Sequence, residues 1–577
     1  MKYESLLSVS FALLFLTASA VAVDKLPPDF KPQSATGSIA DAKTIDASAL
    51  PQRIAPSAAP SGRFAGLRPQ NGLSDAQFAV LKQQVAQRRT AAPSTQALSP
   101  VSNSLLPLTP LPSIGFDGIN VDCSSVIPSD MGLAVSGAWV VQAVNDCFAV
   151  YSKVGGLQAG FPKSLNALFG LPANDFVNGV FVSDPRAFYD PVASKFVISA
   201  VWENMPASTG RVYVAYSKTA DPRGAWGIYS FNTWGTGYCP DFDTLGHGRY
   251  NDKFVGAVAV GVNLFTCSPS GFGSYVDVRL TFLPKAQLYK GVAFGWWYFY
   301  GFGGLDTIQV ASMNDKNDET RAIFALATYN ISSGQCATGC SGLIVWAFSN
   351  VASRSVQDFS VYPEASVIVL PTSTYTLPPN ASQPYTTNTI DTDDVRISGS
   401  VAYSHGKLWA TINTDNGGGG PGILAWEVHA YLDNNGTGRC TGAFLNACPD
   451  LSGAGVDREM NYDVSPSGGY YNNAYYGTIY PDDAGNIVMV FNYSGYVTYV
   501  GTNFLTQRVT LAPQATFHDG GQTLRNGMAA YGYGRWGDYT AATVDGDYVW
   551  FSGMYARSDG LWNTGIGKAG YTASTQP

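Results

Sequence analysis

The sequence predicts an all-β fold. It reads as a single large β-propeller of about seven blades, with six or eight fitting the length as well, preceded by a signal peptide and a Pro/Ala/Ser-rich segment. Three observations carry this expectation. The 577-residue chain is only 13% charged and holds 62 Gly, which is low in charge and rich in turn formers for a soluble protein. Thirty-six of its 42 carboxylates are Asp and six are Glu; Asp closes turns on its own backbone, whereas Glu forms helices. From Ser113 onward, short β-branched and aromatic runs alternate with clusters of Gly, Pro, Asn and Asp.

The same composition excludes other classes. With 30 Phe, 33 Tyr and 12 Trp the chain is too aromatic for a disordered protein. A net charge of −8 lacks the basic excess of a nucleic-acid binder, so no nucleic-acid partner is expected.

Residues 1–22 have the layout of a signal peptide: Lys2, an apolar run from Leu6 to Leu16, and small residues at Ala18-Ser19-Ala20 or Ala20-Val21-Ala22. No later stretch reaches 18 apolar residues, so no membrane span is expected after signal removal. The expected location is secreted or extracellular, the periplasm and the cell surface being equivalent destinations. In such a compartment thiols pair. The simplest of the 105 connectivities joins sequence neighbours: Cys123 with Cys147, Cys239 with Cys267, Cys336 with Cys340, and Cys440 with Cys448. A zinc site at Cys336 and Cys340 is the rival, but no second close Cys or His pair accompanies it.

Residues 23–112 read as a linker or pro-segment with one short helix. Ser74-Asp75-Ala76-Gln77 has capping-box form, and Leu73, Phe78, Leu81 and Val85 follow at helical spacing. Residues 113–577 are the propeller. Strand-like runs include Trp139–Val144, Lys195–Trp202, Val212–Tyr216, Lys253–Val260, Lys407–Ile412, Asn486–Phe491 and Asp547–Ser552. Polar or Asx turns lead straight into several of them, as at Asp184–Asp190, Asn251-Asp252, Ser404–Gly406, Asp482–Gly485 and Asp545-Gly546. The region is too long for one sandwich and shows no internal linker, which makes one radial repeat the economical arrangement.

Certain segments resemble a group of large, mostly uncharacterised secreted bacterial β-propeller proteins. These are Val141–Asn145 with Val150–Lys153, Ser183-Asp-Pro-Arg186 with Tyr189-Asp190, Ala215–Pro222 with Trp226, and Arg535-Trp-Gly-Asp-Tyr-Thr-Ala-Ala542 with Val544-Asp545. The resemblance runs from about Asp130 to Lys568 and implies export and a propeller; it brings no reaction with it. A looser likeness is to the sialidase Asp-box, in Ser217, Asp221, Gly224 and Trp226 and in Ser558–Trp562. That box implies a structural turn, and the sialidase arginine triad cannot be assigned.

The candidate catalytic residues are Asp184, Asp241, Asp243, His247 and Asp538. A glycosidase needs two carboxyl groups flanking one bond, and Arg186 and Arg535 stand beside Asp184 and Asp538 to hold them ionised. Asp394, Glu427 and Glu459 are further carboxylates. His247, in Leu245–Arg249, is the best local acid-base histidine, although no Gly-x-Ser-x-Gly elbow accompanies it. Arg186, Trp202, Arg535 and Trp536 are the candidate ligand-binding residues, since sugar faces stack on aromatic rings and sugar hydroxyls bond to polar side chains. Asp391, Asp393 and Asp394 cluster hard oxygen donors; no cofactor is called for, and calcium is the ion this cluster would take. The same could be said of Asp482-Asp-Ala-Gly-Asn486. Gly417–Gly420 is a loop, because no Lys-Ser/Thr pair follows it. The leading functional expectation is a binding module for glycans or another cell-surface polymer. A polysaccharide-directed hydrolase or lyase using funnel Asp residues is the rival, and a structural surface protein is the third class.

Overall fold

The structure is a computed structural model that describes residues 32–53, 62–63, 75–90, 112–232, 234–248, 256–313, 322–330, 336–352, 363–417, 419–430, 451, 453–462, 472–508 and 521–571. The expected signal peptide, Lys253 of one expected strand, and Cys440 and Cys448 lie outside these residues.

Twenty-eight of the described strands form seven antiparallel sheets of four consecutive strands each, apart from one strand borrowed from the N-terminal side. The first sheet is Met131–Val135, Trp139–Val144, Cys147–Ser152 and Lys163–Ser164. The second is Val180–Asp190, Lys195–Asn204, Thr209–Ser217 and Ala225–Asn232. The third is Tyr238–His247, Ala257–Ser268, Gly271–Pro284 and Phe294–Tyr300. The fourth is Gln309–Met313, Ala322–Thr328, Leu343–Ser349 and Glu364–Leu370. The fifth is Val401–Ser404, Lys407–Asp415, Pro421–His429 and Gly455–Tyr462. The sixth is Asn472–Pro481, Ile487–Gly495, Thr498–Gln507 and Gln522–Arg525. The seventh is Ala541–Asp545, Tyr548–Ala556 and Trp562–Ala569, completed by Ile114–Asn120.

The first strands of successive sheets lie side by side in sequence order, and the first strand of the seventh returns to that of the first. Where neighbouring first strands pair, as at Ala311 with Val401, they run parallel, as strands round a common axis must. No single sheet closes on itself. The ring is completed by packing between sheets and by the borrowed strand, which joins the two ends of the ring in one ladder.

This packing explains the sequence texture. Each sheet is covered on both faces by its neighbours, so inner strands read as continuous apolar runs; every residue of Leu343–Ser349 is buried. The core is divided accordingly. Phe148, Ile198 and Trp226 belong to a cluster between the first two sheets, and Tyr216, Tyr229 and Leu283 to one between the second and third. Trp346 with Phe282 follows between the third and fourth, and Trp550 with Val140 packs the seventh onto the first. The Asp-box-like stretch is a hairpin turn in the second sheet: Trp226 Nε1 donates to Pro222 O at 2.8 Å and Ser217 Oγ donates to Thr219 O at 2.7 Å. The Asp482 turn likewise needs no ion, since its Oδ1 accepts the N–H groups of Ala484 and Asn486 at 3.0 and 2.8 Å.

The stretch read as linker contributes strands that its sequence does not suggest. Gln33–Ile39 pairs with Phe294–Tyr300 on the outer edge of the third sheet, and Lys43–Asp46 with Ala225–Asn232 on that of the second. Their residues are small and polar; the open N–H and C=O groups of a sheet edge supply the order. Further on, the helix Asp75–Thr90 buries Phe78 and Val85 against Leu377, with Leu81 and Ala337 half-buried beside them. Three disulfides join sequence neighbours: Cys123–Cys147, Cys239–Cys267 and Cys336–Cys340. Among the described residues no helix is long and apolar enough to cross a membrane.

Candidate functional site

Toward the side of the ring where the first strands begin, here the mouth, several of them carry a residue in the left-handed region, just before the strand or at a bulge within it. Asp130, Asp184, Phe242, Thr307 and Tyr476 have φ of 38°, 53°, 53°, 49° and 54°. Such a backbone costs on the order of 1 kcal/mol or more for a non-glycine residue and persists only where its surroundings hold it. The holding groups come from the preceding sheet. Asn145, Asn263 and Asn413 accept the N–H groups of Asp184, Thr307 and Tyr476 through Oδ1, at 2.8, 2.8 and 2.7 Å. Asp184 does the same for Phe242 at 2.8 Å, and Asp130 accepts Asp538 N–H at 2.8 Å, linking the first sheet to the seventh.

Behind these residues the axis is filled. Arg186 donates from Nε to Asp243 O at 2.9 Å and from Nη2 to Ser398 O at 3.1 Å, and its guanidinium lies 3.3 Å from the centre of the Tyr539 ring and 5.5 Å from that of Phe242. Arg396 covers Phe242 at 5.0 Å. It is held by Asp394 in a two-bond fork of 2.9 and 2.6 Å and has Asp393 at 3.4 Å. Alternating guanidinium and aromatic planes thus form a floor.

Carboxyl groups outnumber cations around this floor. Asp130, Asp184, Glu203, Asp241, Asp243, Asp306, Asp391, Asp393, Asp394 and Asp538 face Lys82, Arg186, Arg396 and Arg535. That imbalance cannot be carried as bare charge in a buried region, so some carboxyls keep protons. Burial, reinforced by Asp184, pushes Asp130 up to about 6. Burial and neighbouring carboxylates push Asp241 and Asp306 up to about 7. Burial raises Asp184, Glu203 and Asp243 well above the usual carboxylate range. Asp241 adjoins Asp184, and its charge adds to the rise that burial causes in Asp184. Asp241 keeps some contact with solvent although protein crowds it on all sides, and Arg535, ion-paired to Asp538 at 2.7 Å, does too.

The structure therefore brings together Asp184, Asp241, Asp243 and Asp538 with Arg186 and Arg535. It leaves His247 apart, six residues beyond Asp241 on the same strand, or about 20 Å at the usual rise. There His247 stacks on Phe188 at 4.2 Å and sits 3.1 Å from Lys285 Nζ, beside the buried Lys285–Asp190 ion pair. Trp202 packs half-buried against the cluster between the first two sheets, and Trp536 is fully buried edge-on to Tyr531, which closes its faces to a ligand. Glu427 is taken by Lys407 and Arg458, and Glu459 by Ser373 and Trp426. The protein's own cations take the carboxylates that the sequence offers to calcium. Lys82, from the helix Asp75–Thr90, reaches Asp391 Oδ1 and Thr392 Oγ1 at 3.2 Å and Asp393 O at 2.7 Å, while Arg396 takes Asp394. Among the described residues no group of three or more His, Cys, Asp or Glu side chains is placed to hold a metal ion.

Sequence reasoning missed Glu203, Asp130, Asp306, Arg396 and Lys82. The one available signal for Glu203 was its rarity: it is one of six Glu, and it follows the apolar run Phe196–Trp202 near the end of its strand.

On the same side, the segment 381–392 crosses toward the loop before the seventh sheet. Gln383 donates to Tyr531 O at 3.0 Å and accepts Tyr531 N–H at 2.8 Å, and Asp391 N–H donates to Gly534 O at 3.0 Å. These bonds hold Tyr385 on the rim, 93% exposed, with its ring 6.5 Å from that of Tyr499.

No family model and no curated protein matches the chain. Among solved structures, an exo-β-1,3-galactanase from Clostridium thermocellum is similar at 10% identity over 80% of this chain and 96% of that one, with a TM-score of 0.26. An ulvan lyase is similar at 10% identity over 77% and 92%, with a TM-score of 0.31. A Trypanosoma rangeli sialidase is similar at 10% identity over 73% and 57%, with a TM-score of 0.31. At TM-scores of this size the fold is argued from the strand pairing alone.

Proposed function

We propose that the ring is a seven-bladed β-propeller exported from the cell, and that it binds a glycan or another cell-surface polymer at its mouth. The cycle of first strands and the borrowed strand support the blade count. The three disulfides suit an oxidising compartment.

The observation that carries the binding reading is the rim around Tyr385. A ring almost wholly in solvent, on a segment fixed at both sides by backbone bonding, contributes little to folding and is a ready platform for a sugar face. Tyr496, 66% exposed, belongs to the turn that leads into Tyr499. Asp241, Asp391 and Arg535 offer acceptors and donors for sugar hydroxyls below it. The test is binding to a polysaccharide panel. Tyr385→Ala with Tyr499→Ala abolishes binding if the rim is the platform, and full retention removes the reading.

A second reading, hydrolysis or elimination on a polysaccharide, is favoured by one feature: Asp184 and Asp241 adjoin with both carboxyls raised by burial, which suits one of them to serve as an acid. Release of new chain ends from the same panel, lost in Asp241→Asn, would establish it over plain binding.

A further inference from the structure

Away from the mouth, a cavity of about 590 Å³ opens between the outer parts of the second and third sheets, under the N-terminal stretch Thr36–Lys43. Its size is in the range of ligand pockets, ~300–1,000 Å³. Arg279 lines it from the third strand of the third sheet and is only 5% exposed. Its guanidinium lies flat on Tyr298, 3.6 Å from the ring centre, and its Nε has no hydrogen-bond partner. No carboxylate among the described residues pairs with it. Burial lowers its pKa to about 10, so it stays charged at neutral pH. A buried cation without an anion is an expensive arrangement that ordinary packing does not call for.

The rest of the wall repeats the theme. Arg211 is turned onto neutral acceptors only, with Nη2 donating to Ser230 O at 3.0 Å and Nη1 donating to the Asn232 side chain. The Trp296 indole N–H, also in the wall, has no acceptor. The strand that roofs the cavity runs flush over that indole, because a Cβ on Gly37 would fall 2.4 Å from its ring. Asp41 is the one acidic lining residue, and its carboxylate is engaged by Ala293 N–H at 2.6 Å. Trp234 stands at the edge, 43% exposed and edge-on to Tyr300.

We infer that this cleft binds an acidic sugar residue, with its carboxylate or sulfate held by Arg279 and Arg211 and its ring laid on Trp234. The sugar part of the inference rests on the carbohydrate reading above; the anion part rests on the unpaired guanidinium. Planar guanidinium donors match carboxylate and sulfate oxygens, and an indole face matches a pyranose. In a chain with a net charge of −8, a cavity walled by two uncompensated arginines selects anions from a surface that otherwise repels them.

The experiment is calorimetric titration of the full chain with an oligogalacturonate, a sulfated dextran oligomer, an uncharged dextran oligomer and sodium sulfate. Each is repeated with Arg279→Met, Trp234→Ala and Tyr385→Ala. The acidic oligosaccharides should bind, weaken as salt rises, and lose at least about tenfold in affinity in R279M, one charged hydrogen bond being worth that much. W234A should weaken the oligosaccharides and leave inorganic sulfate unchanged, whereas Y385A should leave this site intact. Removing an unpaired buried charge should not lower the melting temperature of R279M, and the exposed W234A tests the site even if R279M fails to fold. Equal binding of charged and uncharged oligomers, or unchanged affinity in both R279M and W234A, overturns the inference. Sulfate binding as tightly as the acidic oligomers reduces the site to an anion site and overturns its sugar half. Loss of binding only in Y385A would leave the mouth reading standing and this one fallen.

Discussion

Asp184 Oδ2 accepts the backbone N–H of Phe242 at 2.8 Å, so a side chain at the bulge in the first strand of one sheet holds the left-handed bulge residue of the next. Burial, reinforced by the adjoining Asp241, raises the same carboxyl well above the usual carboxylate range, so that it keeps its proton. A side chain that is neutral and accepts a backbone bond is nearly isosteric with an amide.

Asp184→Asn should therefore leave stability within about 1 kcal/mol of the native chain, because it keeps the acceptor and carries no charge. Asp184→Ala strands the Phe242 N–H and releases a strained backbone, and should cost about 2–3 kcal/mol. Urea denaturation of the two variants distinguishes them. Equal and large losses in both would mean that Asp184 is ionised.

Acid should stabilise this protein down to about pH 4–5. Asp130 and Asp146 stand at about 6, and Asp241 and Asp306 at about 7, all raised from 3.8, chiefly by burial. A raised carboxyl holds a proton in the folded state that it has lost when unfolded. Its contribution is complete below the unfolded value and fades as pH rises through the folded one; for Asp130 it amounts to roughly 3 kcal/mol. The opposite case is Asp190, which Lys285 holds below the usual carboxylate range. Its contribution is present above the unfolded value and is lost as pH falls through the folded one. The melting temperature should thus rise from pH 8 to pH 5 and fall again below pH 4, as scanning calorimetry would record. A monotonic fall from pH 8 to pH 5 would contradict these protonation states.

Lys82 ties the helix Asp75–Thr90 to the mouth through Asp391, Thr392 and Asp393. Lys82→Met keeps the packing of Phe78 and Val85 but removes those bonds, and should speed amide exchange in residues 75–90 about tenfold or more while leaving the sheets unchanged. Exchange that is unaltered in the helix would show that its apolar face alone holds it.

Much of the fold was legible because it is local. The all-β class follows from short apolar strands and Asx turns, and Lys195, Lys407 and Asn486 do stand at or beside strand beginnings. The edge strand Gln33–Ile39 was not legible, since its small polar residues acquire a ladder only from Phe294–Tyr300. Within the site, the Asp-Pro-Arg piece lies at a strand bulge and the Arg-Trp-Gly-Asp piece just before a strand, and both come to the axis. Periodicity in one strand cannot say which end lines that axis. His247 looked close to Asp241 in sequence yet lies six residues along the strand from it, and Glu203, marked only by its rarity, lies near the end of a strand beside Asp184 and Asp241. Trp536 has the residue type of a sugar platform and the burial of a core residue.

Ring closure gives a sharp truncation test. Ile114–Asn120 supplies the outer strand of the seventh sheet, whereas Gln33–Ile39 and Lys43–Asp46 only extend the third and second. A chain beginning at residue 112 should fold, and one beginning at residue 121 should not yield a soluble, cooperatively melting protein. Cooperative melting of the shorter chain would mean that the ends are joined otherwise.

The central claim is that the mouth of the ring grips a polysaccharide through the Tyr385 rim. The most direct measurement is the affinity of the chain for whichever polysaccharide of a broad panel it binds best, compared with that of Tyr385→Ala with Tyr499→Ala. A loss of about tenfold or more at unchanged melting temperature is the predicted result. Equal affinity in the two proteins, or no binding across the panel by the unaltered chain, would contradict it.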